Sequence, residues 1–405
     1  MSKIIPINII EPQQNPTISS TQQVEDMRPE GYQYLEIIKD HIDKYSPKKE
    51  SNFYDKVFDG SLIYPRQLEI HLPGSGKNRC NFDCDYCQGN ELDMSLGPWE
   101  TKVLTLLEKL KGKIPYHVYG GAYTEPLMNK YFMDYIRMTK KYKNNFGIHS
   151  NGSLLFDLEN KKGLVTELVG LAESELDYFS CSLDAGSIES HKKVKNVKVD
   201  YFTKIIDGLE LMVKARGENS YPKIRVVYLI TEQSDSPEEI EYISKKMREI
   251  GVDSLRFSIP YANYGRSFDE VKKYRDEFEI PFGKKCFNMV QKYLSKDKKD
   301  KTYIFWHDPE FQSVDKMNFK QCIYSYYQIT FGADGSVYKC SSTATPSFDK
   351  NILGEATDDL DVFNKMVLDN HDPDWDASTC FNAGARCNRI ALEINKAWEQ
   401  KIIAK

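Results

Sequence analysis

The chain has 405 residues, with 55 Lys+Arg against 60 Asp+Glu (net charge −5), 40% hydrophobic and 28% charged residues. That length allows roughly two or three domains, or one large barrel with an attachment, and folds without disulfide staples. The charge balance supplies no field for a phosphate backbone, which excludes nucleic acid as a main partner, and no run of about 18 apolar residues offers a membrane span. The opening MSKIIPINIIEPQQ has no signal-peptide core, so the expected location is the cytoplasm.

Residues 1–65 contain much Gln, Ser, Pro and Lys, with one helical pattern around Tyr32–Tyr45, and read as an N-terminal extension. From residue 66 strand-like runs appear at Gln67–Leu72, Tyr116–Tyr119, Phe146–His149, Asp177–Leu183, Ile224–Thr231 and Ser254–Pro260. Between them apolar residues recur at helical spacing: Val103, Leu106, Leu107 and Leu110; Phe202, Ile205, Ile206 and Leu209; Ile240, Ile243, Met247 and Ile250. Six strands alternating with helices over 66–265 predict an α/β fold with a parallel sheet, open or curled into part of a barrel. In such folds the working residues sit at the carboxyl ends of the strands. Residues 266–320 form a charged bridging segment, helical to about residue 300 and ending in the solvated run Lys296–Lys301. Over 321–405, Tyr327–Phe331 and Ser336–Lys339 flank a hairpin connection, Gly332-Ala333-Asp334-Gly335, and Ile390–Ile403 reads as a closing helix. This last region is expected to be a small cysteine-rich α+β domain.

Nine cysteines cannot all pair, and a reducing compartment disfavours disulfides. Cys80, Cys84 and Cys87 form C-x3-C-x2-C directly after the first strand. Three thiolates within eight residues suit a small iron–sulfur cluster or zinc. A structural zinc site wants a fourth ligand, and the nearest histidine, His71, belongs to the preceding strand. A four-iron cluster on three cysteines keeps one iron open, as catalytic centres do.

With Tyr86 at the aromatic place of C-x3-C-x-aromatic-C, residues 66–265 resemble the radical S-adenosylmethionine (radical SAM) superfamily. The resemblance implies a partial (βα)6 TIM-like barrel and a [4Fe-4S] cluster held by Cys80, Cys84 and Cys87. The open iron would chelate S-adenosylmethionine, and one electron would split it to a 5′-deoxyadenosyl radical that abstracts a hydrogen atom. Tyr119-Gly120-Gly121-Ala122-Tyr123-Thr124-Glu125-Pro126-Leu127 resembles the family's Gly-rich stretch, in a variant with three residues between Gly-Gly and Glu-Pro. Ser150-Asn151-Gly152 and Ser182-Leu183-Asp184-Ala185 resemble its next two strand-end motifs. By this resemblance Tyr86, Gly120, Gly121, Thr124, Glu125, Ser150, Asn151, Ser182 and Asp184 are expected to bind S-adenosylmethionine.

A second group, Cys322-x12-Gly335-x4-Cys340 followed by Cys380-x6-Cys387, can close a tetrahedral site for zinc or a second iron–sulfur cluster. Its first half resembles the SPASM and Twitch auxiliary-cluster domains. The full SPASM form has seven cysteines; four here imply the Twitch-like form with one auxiliary [4Fe-4S] cluster on Cys322, Cys340, Cys380 and Cys387. Cys181, inside the fourth strand, reads as a buried inert thiol. Cys286 is a candidate hydrogen-atom donor whose pKa Lys284 and Lys285 would lower, with burial as the alternative. Tyr324, Tyr326, Phe305 and Trp306 line a pocket or simply fill the core.

The expected function is hydrogen abstraction from a ribosomally made peptide, giving a crosslink, thioether or epimer. The alternative is a dehydrogenase or epimerase acting on an amino sugar or aminocyclitol; residues 1–65 lack the winged-helix pattern of a leader-peptide reader. A zinc-stabilised, non-enzymatic binding protein is the further reading, and a three-cysteine open site argues against it. An electron-transfer protein would want both clusters fully ligated. The implied reductant is a flavodoxin or ferredoxin, and a monomer is expected.

Overall fold

The computed structural model describes residues 60–74, 79–87, 99–121, 124–260, 268–297, 299–307, 322–341, 344 and 351–371. The strands are β1 (Gln67–Ile70), β2 (Tyr116–Tyr119), β3 (Asn145–Ser150), β4 (Tyr178–Ser182), β5 (Lys223–Leu229), β6 (Ser254–Ser258), β7 (Tyr303–Trp306), β8 (Gln328–Phe331), β9 (Ser336–Tyr338) and β10 (Ile352–Glu355). The helices are α1 (Glu100–Leu110), α2 (Phe132–Lys141), α3 (Leu155–Lys162), α4 (Leu164–Leu171), α5 (Ile188–Val194), α6 (Phe202–Arg216), α7 (Pro237–Ile250), α8 (Phe268–Tyr274), α9 (Ile280–Val290) and α10 (Leu360–Asn370).

Helix boundaries follow local chemistry. At the start of α7 the Ser236 side chain accepts from Glu239 N, Pro237 takes the first turn, and Gly251 closes the helix at φ 85°. Ile240, Ile243 and Met247 form its buried stripe. In α6 the stripe is Phe202, Ile205, Ile206, Leu209 and Met212.

All strands join one sheet in the order β10-β9-β8-β1-β2-β3-β4-β5-β6-β7. From β1 to β7 the order is monotonic and every pair is parallel. Right-handed crossovers in one direction place every helix on the same face, which is the arrangement of a TIM-like partial barrel. The helix-facing side carries Leu68, Ile70, Phe146, Ile148, Phe179, Val226 and Phe257, all in one apolar core with the helix stripes. The alternate residues, among them Glu69, His149, Ser180, Arg225 and Arg256, face the concave lumen.

The six expected strands are present, most of them shorter at their carboxyl ends than the sequence suggests. Leu72, Leu183 and Ile230 are buried and so resemble strand residues, although the chain there is already leaving the ladder. Two elements differ from expectation. Tyr303–Trp306, inside the bridging segment, is a seventh parallel strand paired with β6; a four-residue apolar run has too little periodicity to declare itself. The C-terminal hairpin is not a separate sheet: β8 lies parallel to β1 from Gln67↔Gln328 to Ile70↔Phe331. Gly335 turns the hairpin at φ +86°, where an added Cβ would meet the Trp99 indole at 2.8 Å. The tracts around Tyr32–Tyr45 and Ile390–Ile403 lie outside the described residues.

Candidate active site

The three-cysteine loop rises from the carboxyl end of β1 and is tied to the neighbouring strand ends. Arg79 O accepts from Gly74 N (3.1 Å) and from Glu125 N (3.0 Å), joining the loop to the stretch after β2. Asn81 Nδ2 donates to Ser153 Oγ (2.8 Å), and Asn151 Nδ2 donates to Asn81 Oδ1 (2.8 Å), joining it to the end of β3. Asp83 N donates to Lys195 O (3.2 Å) beyond β4, and Phe82 packs edge-on against His191 and Tyr201. Four consecutive strand ends therefore hold one loop.

Cys80, Cys84 and Cys87 are half-buried in it. Burial, then Glu125, then the other two thiols push the Cys80 pKa up to about 12. Burial also raises Cys84, while the Lys195 ammonium pulls the other way. Phe82 N (3.4 Å) and Asn151 Nδ2 (3.6 Å) donate to Cys80 Sγ. The thiolate is the metal ligand, so a cluster bound here would have to displace these protons. Among the described residues no three His, Cys, Asp or Glu side chains converge on a position for one metal ion. A four-iron cube takes its thiolates on separate corners, which is a different requirement.

Beside this loop the backbone after β2 packs tightly against β3 and the His71 ring. Gly120 has φ +96°, and an added Cβ would lie 2.2 Å from His149 O; at Gly121 it would lie 2.1 Å from His71 Nε2. Only glycine fits either position. Thr124 Oγ1 is buried with no hydrogen-bond partner, a donor and acceptor left for a ligand. Glu125, 1% exposed, accepts from Leu127 N (3.0 Å), Ser150 Oγ (2.7 Å) and Asn151 N (2.7 Å). Its carboxyl pKa is pushed up to about 7 by burial, which these hydrogen bonds only partly offset. The structure thus places Glu125 as the brace that holds Ser150 and Asn151 at the rim.

After β4, Asp184 adopts φ 59°. Its Oδ1 accepts from Leu229 N (2.7 Å), and its Oδ2 accepts from Tyr86 OH (2.5 Å) and Lys195 Nζ (2.5 Å). Lys195, 1% exposed, also donates to Tyr86 OH (2.6 Å). Burial lowers the Lys195 pKa, but Asp184 together with the Cys84 and Cys181 thiols outweighs it and the net shift is upward. The ammonium stays charged beneath the cysteine loop. The loop after Asp184 is fixed in turn by Glu239 of α7, which accepts from Ser187 Oγ (2.6 Å), Ser190 Oγ (2.7 Å) and Gly186 N (3.1 Å). Ser182, the last residue of β4, is half-buried on the lumen side.

Cys322 and Cys340 are half-buried and pack on a cluster containing Tyr324, Tyr326 and Tyr327 together with Tyr116 and Tyr178. Tyr116 and Tyr178 begin β2 and β4, so this pair stands at the opposite end of the strands from Cys80–Cys87. Cys380 and Cys387 lie outside the described residues. Cys286 is fully buried in α9, within the core between sheet and helices. The expectation that its neighbouring lysines lower its pKa is corrected: burial, then Asp235, push it up to about 12 against the smaller pull of Lys285, which itself pairs with Asp235. Cys181 is buried as expected, 2.7 Å from a Cβ built on Gly152. Tyr324, Tyr326, Phe305 and Trp306 are buried.

Sequence reasoning missed Lys195, Asn81 and Ser153. Among 55 Lys+Arg nothing in the sequence sets Lys195 apart. Its one signal is a position eleven residues after Asp184, in the turn that ends α5.

Residues 76–240 match the family model described as the radical SAM superfamily. Among solved structures the chain is similar to Streptococcus suis SuiB bound to S-adenosylmethionine, with 15% identity over 77% of this chain and 68% of that one, TM-score 0.50. It is also similar to Streptococcus suis SuiB bound to precursor peptide SuiA, with 16% identity over 90% of this chain and 73% of that one, TM-score 0.51. At such identities the likeness concerns the fold. No curated protein matches the chain.

Proposed function

We propose, from the premise that residues 76–240 form a radical SAM domain, that this chain is a radical SAM enzyme that modifies a ribosomally made peptide. Cys80, Cys84 and Cys87 would hold a [4Fe-4S] cluster, whose chemistry would be to pass one electron to S-adenosylmethionine, splitting it into methionine and a 5′-deoxyadenosyl radical able to take a hydrogen atom from the substrate. The observation that carries the reading is the convergence of that loop, the close-packed Gly120-Gly121 turn and the Asp184–Lys195 pair on adjacent strand ends.

The chain's own residues have separable tasks. Gly120 and Gly121 let the backbone after β2 pack against His149 and His71, and Thr124 Oγ1 offers a ligand an unused hydrogen-bonding group. Glu125 fixes Ser150 and Asn151, and Asn151 in turn hydrogen-bonds Cys80. Tyr86, Asp184 and Lys195 lock the far side of the loop and keep a positive charge near Cys84. Preorganised groups of this kind need no rearrangement when the reaction begins.

A peptide substrate is favoured by the likeness, over 90% of this chain, to SuiB holding a precursor peptide. The polar lumen also suits a sugar, so an amino sugar or aminocyclitol is the second reading. Cys322 and Cys340, with Cys380 and Cys387, are proposed to hold an auxiliary [4Fe-4S] cluster; the shared packing of Cys322 and Cys340 supports that pairing. A flavodoxin or ferredoxin would deliver the electron.

The test is iron, sulfide and zinc per chain after anaerobic reconstitution, followed by 5′-deoxyadenosine assay with S-adenosylmethionine and reductant. About eight irons and 5′-deoxyadenosine formation are expected. About four irons with one zinc would make the second group a structural clasp. Folded protein without iron would leave a zinc-stabilised binding protein and end the radical reading.

A further inference from the structure

Barrels of this architecture are usually filled by branched apolar side chains. Here the concave face carries permanent charge in its middle. Arg225 on β5 and Arg256 on β6 are diagonal neighbours: Arg225 is in register with Ser254, and Arg256 with Val227. The Arg225 guanidinium lies over the Tyr178 ring, 4.1 Å from its centroid. Arg256 Nε is buried with no hydrogen-bond partner. The same holds for Ser258 Oγ, two residues along the same face in a side chain only 4% exposed.

Among the described residues the lumen carboxylate Glu69 is already engaged. Glu69 Oε1 meets His71 Nε2 at 2.8 Å, and Oε2 accepts from Gln328 Nε2 at 2.8 Å. His149, hydrogen-bonded to Tyr178 OH at 2.8 Å, feels both arginines. Desolvation by the surrounding protein is the main cause of its pKa falling to about 4, yet its side chain is exposed. Among the described residues these two guanidiniums have no carboxylate partner, and such charges are costly to hold until an anion meets them.

We propose that the lumen receives a carboxylate of the substrate at Arg225 and Arg256, with Ser258 and His149 as further hydrogen-bond partners. The inference deepens the peptide reading and rests on it: the substrate is an acidic peptide presenting an Asp, a Glu or its C-terminus. Planar guanidinium forks match carboxylates two bonds at a time. The same two cations repel the ammonium of an amino sugar, so the site separates the two substrate classes.

The experiment is calorimetric titration of the reconstituted full-length protein, with S-adenosylmethionine present, using N-acetyl-L-glutamate, N-acetyl-L-glutamine and inorganic phosphate. Acetyl-glutamate should bind at least tenfold tighter than the amide. Arg256→Gln should lose at least tenfold, and Arg256→Lys part of that, with S-adenosylmethionine binding unchanged; circular dichroism confirms that each variant is folded. Equal binding of acid and amide, or undiminished binding to Arg256→Gln, overturns the proposal. So does tighter binding of phosphate, which would make the site a phosphate receptor. A tenfold loss of S-adenosylmethionine affinity in Arg256→Gln would also overturn it, by assigning the arginine to that ligand's carboxylate. Acid binding with no 5′-deoxyadenosine formation would fail the radical reading and leave the lumen assignment standing.

Discussion

The two faces of the sheet follow opposite rules. Apart from His117 of β2 and Ser150 of β3, the helix-facing side of the parallel strands is apolar, and Leu68, Phe146, Phe179, Val226 and Phe257 are all fully buried. The lumen side alternates with it residue by residue and holds Glu69, His149, Ser180, Arg225 and Arg256. A parallel sheet covered on both sides reads as a continuous hydrophobic run. The alternation is partial: Tyr116, Val118 and Tyr178 form a second buried cluster on the lumen side, and the charged residues stand beside it.

Breaking the chemical side outright should give the largest effect. Cys84→Ala is expected to abolish 5′-deoxyadenosine formation while the circular dichroism spectrum persists; continued formation would remove the cluster from this loop. Next comes the rim, where both kinds of demand meet. Asp184→Asn tolerates the same backbone conformation but strands the Lys195 ammonium, at a cost of about 3–5 kcal/mol in denaturant unfolding. The double variant Asp184→Asn with Lys195→Met should recover much of that loss, and failure to recover would mean the pair is not energetically coupled.

On the apolar side Leu209→Ala should cost about 2–5 kcal/mol through the cavity it leaves, with 5′-deoxyadenosine formation per folded molecule retained. Cys286→Ala should behave the same way at about 1 kcal/mol, because its thiol belongs to that core. A changed product stereochemistry in that variant would return it to the role of hydrogen donor. The smallest stability effect is expected at Arg256→Gln, neutral or slightly stabilising by urea midpoint, since it removes a charge with no carboxylate partner. A loss above about 2 kcal/mol would show that Arg256 is structural, and would blur the contrast between the faces.

Much of this was legible in the residues. C-x3-C-x2-C after a strand, Gly120-Gly121, Ser150-Asn151 and Asp184 all declare themselves by local spacing. Local spacing is what a loop leaving a strand end must satisfy, and the structure places all of them on adjacent strand ends. Lys195 did not declare itself, because its meaning depends on Asp184 and Tyr86 meeting it from two other segments. Glu125 was legible as a motif residue but not as a brace, since its donors, Ser150 and Asn151, come from the next strand. The lysines beside Cys286 misled for the same reason: adjacency in sequence weighs less than burial in the helix–sheet core.

The sequence by itself determined the α/β alternation, the rim motifs and the apolar stripes of the helices, because periodicity and short-range spacing are properties of one segment. Only the tertiary structure decided that β8 joins β1, that Cys322 and Cys340 lie at the far end of the strands from Cys80, and that Arg225 and Arg256 share a lumen. Those facts depend on which strands pair and in what register. Pairing is settled by the burial of the whole core at once, and no single stretch of chain records it.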